Sequence, residues 1–286
     1  MDTMAETPLY RRRKLVNSIG LFLSMMAMGA GLIGLLWILW TLFYNGLSAF
    51  SADFFLHSTP APGSEGGGLA NAIVGSLMMV GVSTLVATPV GVLAGIYLAE
   101  YGDRSKFAAV TRFVTDIMLS APSIVVGLFV YAIAVATVGN FSGWAGSLAL
   151  GLIAVPVVVR TTENMLNLVP GSLREAAFAL GAPRWKVNLA VALKAVRGGV
   201  VTGVLLSIAR MVGETAPLLF TALNNQFFSL DMNQPMANLP VVIYNFALSP
   251  YEDWQKLAWG GAALIAIVVL AINIIARVAF REKAPA

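Results

Sequence analysis

The sequence predicts an all-α integral membrane protein with six spans, and three observations lead to that prediction. Hydrophobic residues make up 58% of the 286 residues and charged residues only 11%, whereas about 25% of a soluble domain is charged. Several apolar runs reach the length of about 20 residues that a helix needs to cross a bilayer. Almost all of the basic residues fall in alternate loops between those runs. The chain is therefore expected to lie largely in lipid.

Six apolar runs are long enough to span the membrane. We place them at residues 16–44, 72–98, 113–138, 144–159, 198–223 and 257–280. The first run is too long for a cleaved signal peptide, so we expect an uncleaved anchor. This divides the chain into an N-terminal tail (1–15), a membrane domain (16–280) with one large loop at about 160–197, and a C-terminal tail (281–286).

Basic residues determine the orientation of these spans. With the N-terminus inside, all of the 18 Lys and Arg residues except Lys256 and Arg210 lie in the N-terminal tail, in inner loops or at the C-terminus. Such a bias marks the cytoplasmic side of a membrane protein. We therefore predict a multi-pass protein of the bacterial cytoplasmic membrane with both termini and the 160–197 loop in the cytoplasm.

The 160–197 loop contains a motif with defined spacing. It reads E-A-A, three residues, G, nine residues, and then two apolar positions separated by one residue. The positions that fit are Glu175, Ala176, Ala177, Gly181, Val191 and Leu193. The pattern resembles the cytoplasmic coupling loop of ABC-importer permeases and departs from it at Lys194, where that family usually has Pro. The fold implied is a six-span type I ABC-importer transmembrane domain with a cytoplasmic coupling helix.

The same segment is expected to form two short helices that meet at Gly181. Glycine tolerates the backbone conformation of a sharp turn, and Pro183 suits the first turn of the second helix. The resemblance implies that Glu175, Ala176, Ala177 and Gly181 dock on a separate ATPase. The alternative is an ordinary amphipathic loop helix, because Glu-Ala-Ala alone is common in helices.

Charge enters the fifth predicted span at Arg210 and Glu214. Arg210 falls near the middle of residues 198–223, where a cation costs about 2.5–3.5 kcal/mol on insertion scales. Glu214 follows at i+4, so the two side chains can pair on one helix face. We assign the pair, together with the neighbouring Thr215, to a substrate pathway. The alternative is a structural ion pair that holds this span in the bundle.

A longer resemblance covers spans two to five. Residues 209–228 (ARMVGETAPLLFTALNNQFF) are similar to the span-five signature of the phosphate-uptake permeases, and GETAPLLFTAL points to the A-type subunits of that family. Residues 120–129 (SAPSIVVGLF) and 97–106 (YLAEYGDRSK) agree with it. The resemblance implies a permease subunit of an ATP-driven phosphate importer. It also implies the partners: a homologous C-type permease, two ABC ATPase subunits and an extracytoplasmic phosphate-binding protein.

Phosphate suits an arginine because the guanidinium offers a planar fork of donors to an oxyanion. The charges of Arg210 and Glu214 nevertheless sum to zero. Either Glu214 is released from Arg210 or protonated during transport, or a partner subunit brings a second Arg. Ser120 and Ser123 are further, weaker candidates for the pathway. Asp116 is expected to be a pairing residue rather than a ligand.

Other chemistry has little support in the sequence. There is no Cys, the lone His57 cannot form a metal site by itself, and no G-x-x-x-x-G-K-[ST] motif binds ATP. We therefore expect no enzyme activity, metal or cofactor in this chain, and no nucleic-acid partner; ATP and Mg²⁺ belong on the ATPase subunits. Two alternatives stay open, namely an ABC permease for another oxyanion and an ion-coupled secondary carrier.

Two predicted outer loops, and the prolines and glycines of the spans, allow further predictions. The loops at 45–71 and 224–256 are polar and suit docking of a soluble protein as well as plain solvation. Pro89, Pro122 and Pro217, each within a predicted span, suggest bent or broken helices. Four glycines suggest close helix packing: Gly75, Gly91, Gly95 and Gly127.

Overall fold

The computed structural model describes residues 8–64, 66–102 and 105–279, and every regular element within those ranges is helical. The main helices are α1 (Pro8–Gly46), α2 (Ala52–Leu56), α3 (Ala70–Tyr101), α4 (Lys106–Ser120), α5 (Ser123–Val130), α6 (Ala136–Val138), α7 (Gly143–Asn167), α8 (Gly171–Ala179), α9 (Arg184–Lys186), α10 (Leu193–Ala195), α11 (Arg197–Val212), α12 (Ala216–Leu219), α13 (Leu239–Ala247) and α14 (Glu252–Ala279). Two π-helical segments, Tyr131–Val135 and Val187–Ala192, join α5 to α6 and α9 to α10. The predicted tail at 281–286 and the basic residues Arg104, Arg281 and Lys283 lie outside the described residues.

Four helices are long and apolar enough to cross a membrane alone: the segment Pro8–Ala49, α3, α7 and the segment Glu252–Val278. Two further crossings are possible, each formed by a bent pair of helices. The count of six is reached only when both bent pairs are included. The all-helical membrane fold predicted from composition is confirmed.

Helix α1 is longer than its apolar run. From Pro8 onward it includes the basic residues of the stretch expected to be a tail, because Arg and Lys are good helix formers. Near its end Gly46 approaches α14, where a Cβ at Gly46 would lie 2.5 Å from the Cβ of Ala263. Most of the remaining surface of α1 is exposed in this chain and is available to lipid or to another subunit.

Helices α3 and α7 form the centre of the bundle. A Cβ at Gly91 or Gly95 would lie 2.6 Å from the Cβ of Val158 or Thr162, respectively, so the two helices touch through their backbones. Close backbone approach at small residues is how membrane helices gain packing energy without a hydrophobic driving force. The prediction that these glycines serve packing is confirmed. Gly75 and Gly127 are likewise close to other elements.

The third predicted span is two helices rather than one. Helix α4 ends at Ser120 and α5 begins at Ser123, with a bend of 108° between the two arms. Ala121 is extended, with φ −69° and ψ 135°, as expected for a residue that precedes a proline. Pro122 therefore breaks this span, as the sequence suggested.

The fifth predicted span is also interrupted, as the proline within it suggested. Helix α11 ends at Val212, and the run to residue 223 contains a non-helical segment and the single turn of α12. Pro217 lies in the first turn of α12, where a missing N–H costs nothing, so it starts a new helix instead of kinking an old one. At the other end, α11 bends by 73° from the segment Arg184–Ala195.

The outer loop at 224–256 contains a helix that the hydrophobic runs did not reveal. In α13, the side chain of Asn238 accepts a hydrogen bond from the N–H of Val241 at 3.0 Å and caps the helix. Leu239, Val242 and Phe246 then pack in a buried cluster with residues of α3 and α14. The N-cap followed by Pro240 is a helix-start signal visible in the sequence.

Candidate transport site and coupling loop

Arg210 and Glu214 form the predicted ion pair, with 3.3 Å between Arg210 Nε and Glu214 Oε1. The pair lies at the end of a helix and not in the middle of one. Arg210 occupies the last turn of α11, where the helix dipole favours a cation, and Glu214 follows in the non-helical segment. The Arg210 side chain is 45% exposed and that of Glu214 14% exposed. Arg210 is thus held by an anion while remaining open on one side of the chain.

The residues beside Arg210 show the direction in which its side chain points. Ala209 and Met211 are buried, and Met211 belongs to a core cluster with Met79, Leu150 and Leu218. Because Arg210 lies between these two inward-facing residues, it projects away from the core of this chain. Its exposed part has no cover within the described residues of this chain.

The two breaks in the helices are brought together. Helix α5 packs on α12, and a Cβ at Gly127 would lie 2.6 Å from the Cα of Pro217. One arm of each broken span therefore meets the other. Non-helical backbone at membrane depth is tolerated where it is buried in protein or lines a water-filled cavity. Transporters commonly build substrate sites from such discontinuous helices.

The three candidate hydroxyls lie at these breaks. Ser120 donates to the carbonyl of Asp116 at 2.8 Å, a bond within its own helix. Ser123 is the first residue of α5, and Thr215 immediately precedes α12. The hydrogen bond that Arg210 makes within the described chain is to Glu214, so these hydroxyls are placed at the same breaks without joining the pair.

The sequence analysis did not predict a second group of ion pairs. Glu163 on α7 has a side chain only 5% exposed, and it pairs with Arg112 Nε at 2.6 Å and with Arg160 Nη1 at 3.1 Å. Arg160 also pairs with Asp116 at 2.7 Å, which confirms that Asp116 is a pairing residue. The i, i+3 spacing of Arg160 and Glu163 was the available signal. The network joins α4 to α7, near the end of the bundle that carries the coupling loop.

The coupling loop has the predicted shape of two short helices that meet at Gly181. Gly181 has φ +79°. Its N–H bonds the carbonyl of Phe178 at 2.9 Å, and the N–H of Ala182 bonds that of Ala177 at 3.2 Å. These two bonds form a Schellman motif, the common glycine-containing end of a helix. Pro183 lies just before the next helix, one position earlier than expected.

The surface of this loop that points away from the helical bundle is exposed. Apart from its chain neighbours, no atom of the described residues lies within 4 Å of a Cβ built on Gly181, so glycine is favoured here by its backbone conformation and not by crowding among those residues. Glu175 and Ala176 are exposed, whereas Ala177 is buried. Leu180 is 89% exposed and Trp185 59% exposed. Leu180 and Trp185 therefore leave apolar surface uncovered beside the motif.

Comparison with known proteins defines the class first. Residues 91–281, about two thirds of the chain, match the family model described as "Binding-protein-dependent transport system inner membrane component". Two solved structures of the MetNI methionine ABC transporter in inward-facing conformations share the fold. They have TM-scores of 0.60 and 0.62 at 22% and 21% identity, over 75% and 76% of this chain and 95% and 96% of theirs. The fold is that of an ABC-importer transmembrane domain, as predicted.

Closer relatives give the particular family. The chain is 60% identical to the phosphate transport system permease protein PstA of Pasteurella multocida, over 95% of this chain and 96% of that protein. It is 57% identical to the PstA of Haemophilus influenzae over the same shares of the two chains. With the PstA 1 of Mycobacterium tuberculosis the identity is 39%, over 94% of this chain and 90% of that protein. The chain belongs to the PstA family of permeases. The prediction of a permease subunit that is not itself an enzyme is confirmed.

Proposed function

We propose that this chain is a transmembrane subunit of an ATP-driven importer of inorganic phosphate. The observation that carries the proposal is the 60% identity, over nearly the full length of both chains, to a protein named as a phosphate transport system permease. The match covers 95% of this chain and 96% of that protein. The alternative cargo is another oxyanion, such as sulfate or molybdate.

The chemistry at Arg210 supports an oxyanion. Its guanidinium offers parallel N–H donors that match phosphate, and 45% of the side chain is exposed at the point where two broken helices meet. Glu214 neutralises it in the empty site. Phosphate then competes with Glu214 for Arg210, or a second arginine comes from a homologous C-type permease across the pathway. In this proposal Thr215, Ser120 and Ser123 add hydroxyl donors near the same breaks.

The coupling loop supports an ATPase partner. In this proposal Glu175, Ala176, Ala177 and Gly181 enter a groove of an ABC ATPase, and Leu180 and Trp185 bury their exposed apolar surface there. Two ATPase subunits bind and hydrolyse ATP with Mg²⁺, one for each permease of the heterodimer. Energy reaches this chain only as movement of the coupling loop.

The orientation follows from charge and length. The outer loop at 224–238 contacts the start of α7, where the N–H of Trp144 bonds the carbonyl of Met232, and the coupling loop follows the end of α7. The 25 residues of α7 separate them by about 37 Å, a little more than the hydrocarbon core of a bilayer. With the basic loops in the cytoplasm, the 224–238 loop faces outward, where a phosphate-binding protein would dock.

Uptake in cells tests the cargo and the energy source together. A bacterial strain that lacks its own phosphate permeases is supplied with this gene, its C-type partner, the ATPase and the binding protein, and uptake of radiolabelled phosphate, sulfate and molybdate is measured. We expect phosphate uptake that is lost when the ATPase is omitted. Uptake that persists without the ATPase would indicate an ion-coupled carrier, and selective uptake of sulfate or molybdate would contradict the phosphate assignment.

A further inference from the structure

Arg174, the residue just before Glu175 of the coupling motif, is bonded to two membrane helices at once. Its Nη2 and Nε atoms donate to Glu100 Oε1 at 2.7 and 3.1 Å. Its Nη1 donates to the carbonyl of Val169 at 2.6 Å, and Nη2 also reaches the carbonyl of Leu166 at 2.9 Å. One guanidinium on the coupling helix therefore has partners at the ends of both α3 and α7.

The partners of Arg174 lie at helix ends, where they connect the coupling helix to the membrane helices. Glu100 lies in the last turn of α3, and its side chain is 10% exposed. The carbonyl of Leu166 lies in the last turn of α7 and also accepts a hydrogen bond from the N–H of Val169 at 3.1 Å. The carbonyl of Val169 lies just beyond the helix. A charge-assisted fork of this kind is short and directional, unlike the adaptable contact of a lysine. Helices α3 and α7 are also the pair that forms the centre of the bundle through Gly91 and Gly95.

Helix α8 has little else that is buried. Ala177 is its one buried side chain, while the residues on either side of it are exposed. Arg174 is partly buried, with 20% of its side chain exposed, and its side chain contacts the membrane helices. The side chain of Glu175 is exposed on the surface of the loop. The motif thus places a residue for the ATPase next to a residue for the membrane bundle.

We propose that Arg174 is a positioning residue that transmits movement of the coupling helix to α3 and α7, with Glu100 as its partner. The inference rests on the proposed ATP-driven transport and adds the point at which this chain receives the movement. When the hydrogen bonds of Arg174 are removed, the coupling helix still docks and the ATPase still hydrolyses ATP. The membrane helices then follow the coupling helix less closely, so fewer phosphate ions move for each ATP hydrolysed.

The test uses the complete complex with its binding protein, reconstituted in proteoliposomes, and measures phosphate transported per ATP hydrolysed. Arg174→Gln and Glu100→Gln are each expected to lower this ratio about tenfold, while assembly and ATPase activity are retained. Arg174→Lys keeps the charge but not the fork, and an intermediate ratio is expected. Lys106→Gln is the matched control, because Lys106 is an exposed cation on the same side of the bundle.

A covalent bridge distinguishes a transmitting role from a merely structural one. The chain contains no Cys, so Glu100→Cys combined with Arg174→Cys gives a single reactive pair in it; the partner subunits are used in cysteine-free form. We expect the reduced double variant to be uncoupled, and a short bifunctional thiol reagent to restore the ratio. If Arg174→Gln fails to assemble, the reduced and bridged forms of the double variant provide the same comparison.

The results separate the two levels of inference. A normal ratio in Arg174→Gln, or a proportional loss of ATPase activity and uptake that bridging leaves unchanged, would overturn the role of Arg174. A wild-type complex that hydrolyses ATP but moves no phosphate would contradict the proposed function instead.

Discussion

Gly127 of α5 lies directly against Pro217 of α12, so that a Cβ at position 127 would be 2.6 Å from the Cα of Pro217. This contact joins one arm of the broken third span to the single turn that follows the break after α11. The neighbour is backbone, which cannot rotate away as a flexible side chain can. The arrangement of the two breaks therefore depends on the absence of a side chain at residue 127.

Gly127→Ala is expected to disturb the site through this contact. Overpacking of a tight core costs about 1–3 kcal/mol, and here the shift moves α12, which lies only a few residues from Glu214. We expect a lower thermal unfolding midpoint of the purified complex and a loss of phosphate uptake. Gly151→Ala is the matched control, since among the described residues no atom outside its own stretch of helix lies within 4 Å of a Cβ at that position. Equal behaviour of the two variants would show that the contact is unimportant.

The sequence was sufficient for the features that depend on composition and short spacing. Apolar runs predicted the membrane helices, and the positive φ of Gly181 was foreseen from the motif. Pro217 suggested a break in the fifth span, but not its position at residues 213–215, because Gly-Glu-Thr within an apolar run is compatible with a continuous helix. The break is stabilised by tertiary packing such as that of Pro217 on Gly127, which hydrophobic periodicity does not encode.

The charged contacts divide in the same way. The Arg210–Glu214 pair is local, at i, i+4, and its formation was predictable from spacing. The contacts of Arg174 with Glu100 and of Arg112 with Glu163 join residues that are 74 and 51 positions apart. Pairing over such distances depends on how α3, α4 and α7 are packed, so one sequence read alone does not reveal it.

Gly181→Trp is expected to uncouple transport. The residue has φ +79°, which favours glycine, and its open face is where the proposed ATPase would approach. We expect normal membrane insertion and a collapse of phosphate uptake, measured together with ATPase activity. Gly181→Ala separates the causes, because it introduces backbone strain of about 1 kcal/mol with little bulk. Normal uptake with Gly181→Trp would count strongly against docking at this turn.

The orientation predicted from basic residues can be checked with single cysteines. Arg184 and Asn233 are both exposed and lie near opposite ends of α7. We expect an impermeant thiol reagent applied to intact spheroplasts to label Asn233→Cys and to leave Arg184→Cys unlabelled until the membrane is permeabilised. The wild-type chain, which has no Cys, is the blank. Labelling of Arg184→Cys from outside would reverse the orientation and detach the coupling loop from any cytoplasmic ATPase.

Single substitutions at the Arg210–Glu214 pair test the pathway. Arg210→Gln removes the proposed phosphate ligand, so uptake should fall to background while the subunits still assemble. Arg210→Lys should recover little, because a point charge does not reproduce the planar fork. Glu214→Gln should also impair uptake, since the unpaired Arg210 would hold phosphate too long. Assembly is checked by co-purification of the complex, and uptake by radiolabelled phosphate.

The double change Arg210→Gln with Glu214→Gln separates a pathway from a structural pin. If the pair only joins α11 to the segment that follows it, removing both charges leaves no unpaired ion, and activity should return. If Arg210 binds phosphate, the double variant lacks that ligand and should transport no better than Arg210→Gln alone. We expect the second result, with the complex assembled and its ATPase active. Recovery of phosphate uptake in the double variant would overturn the pathway assignment, because no guanidinium would then be needed at residue 210.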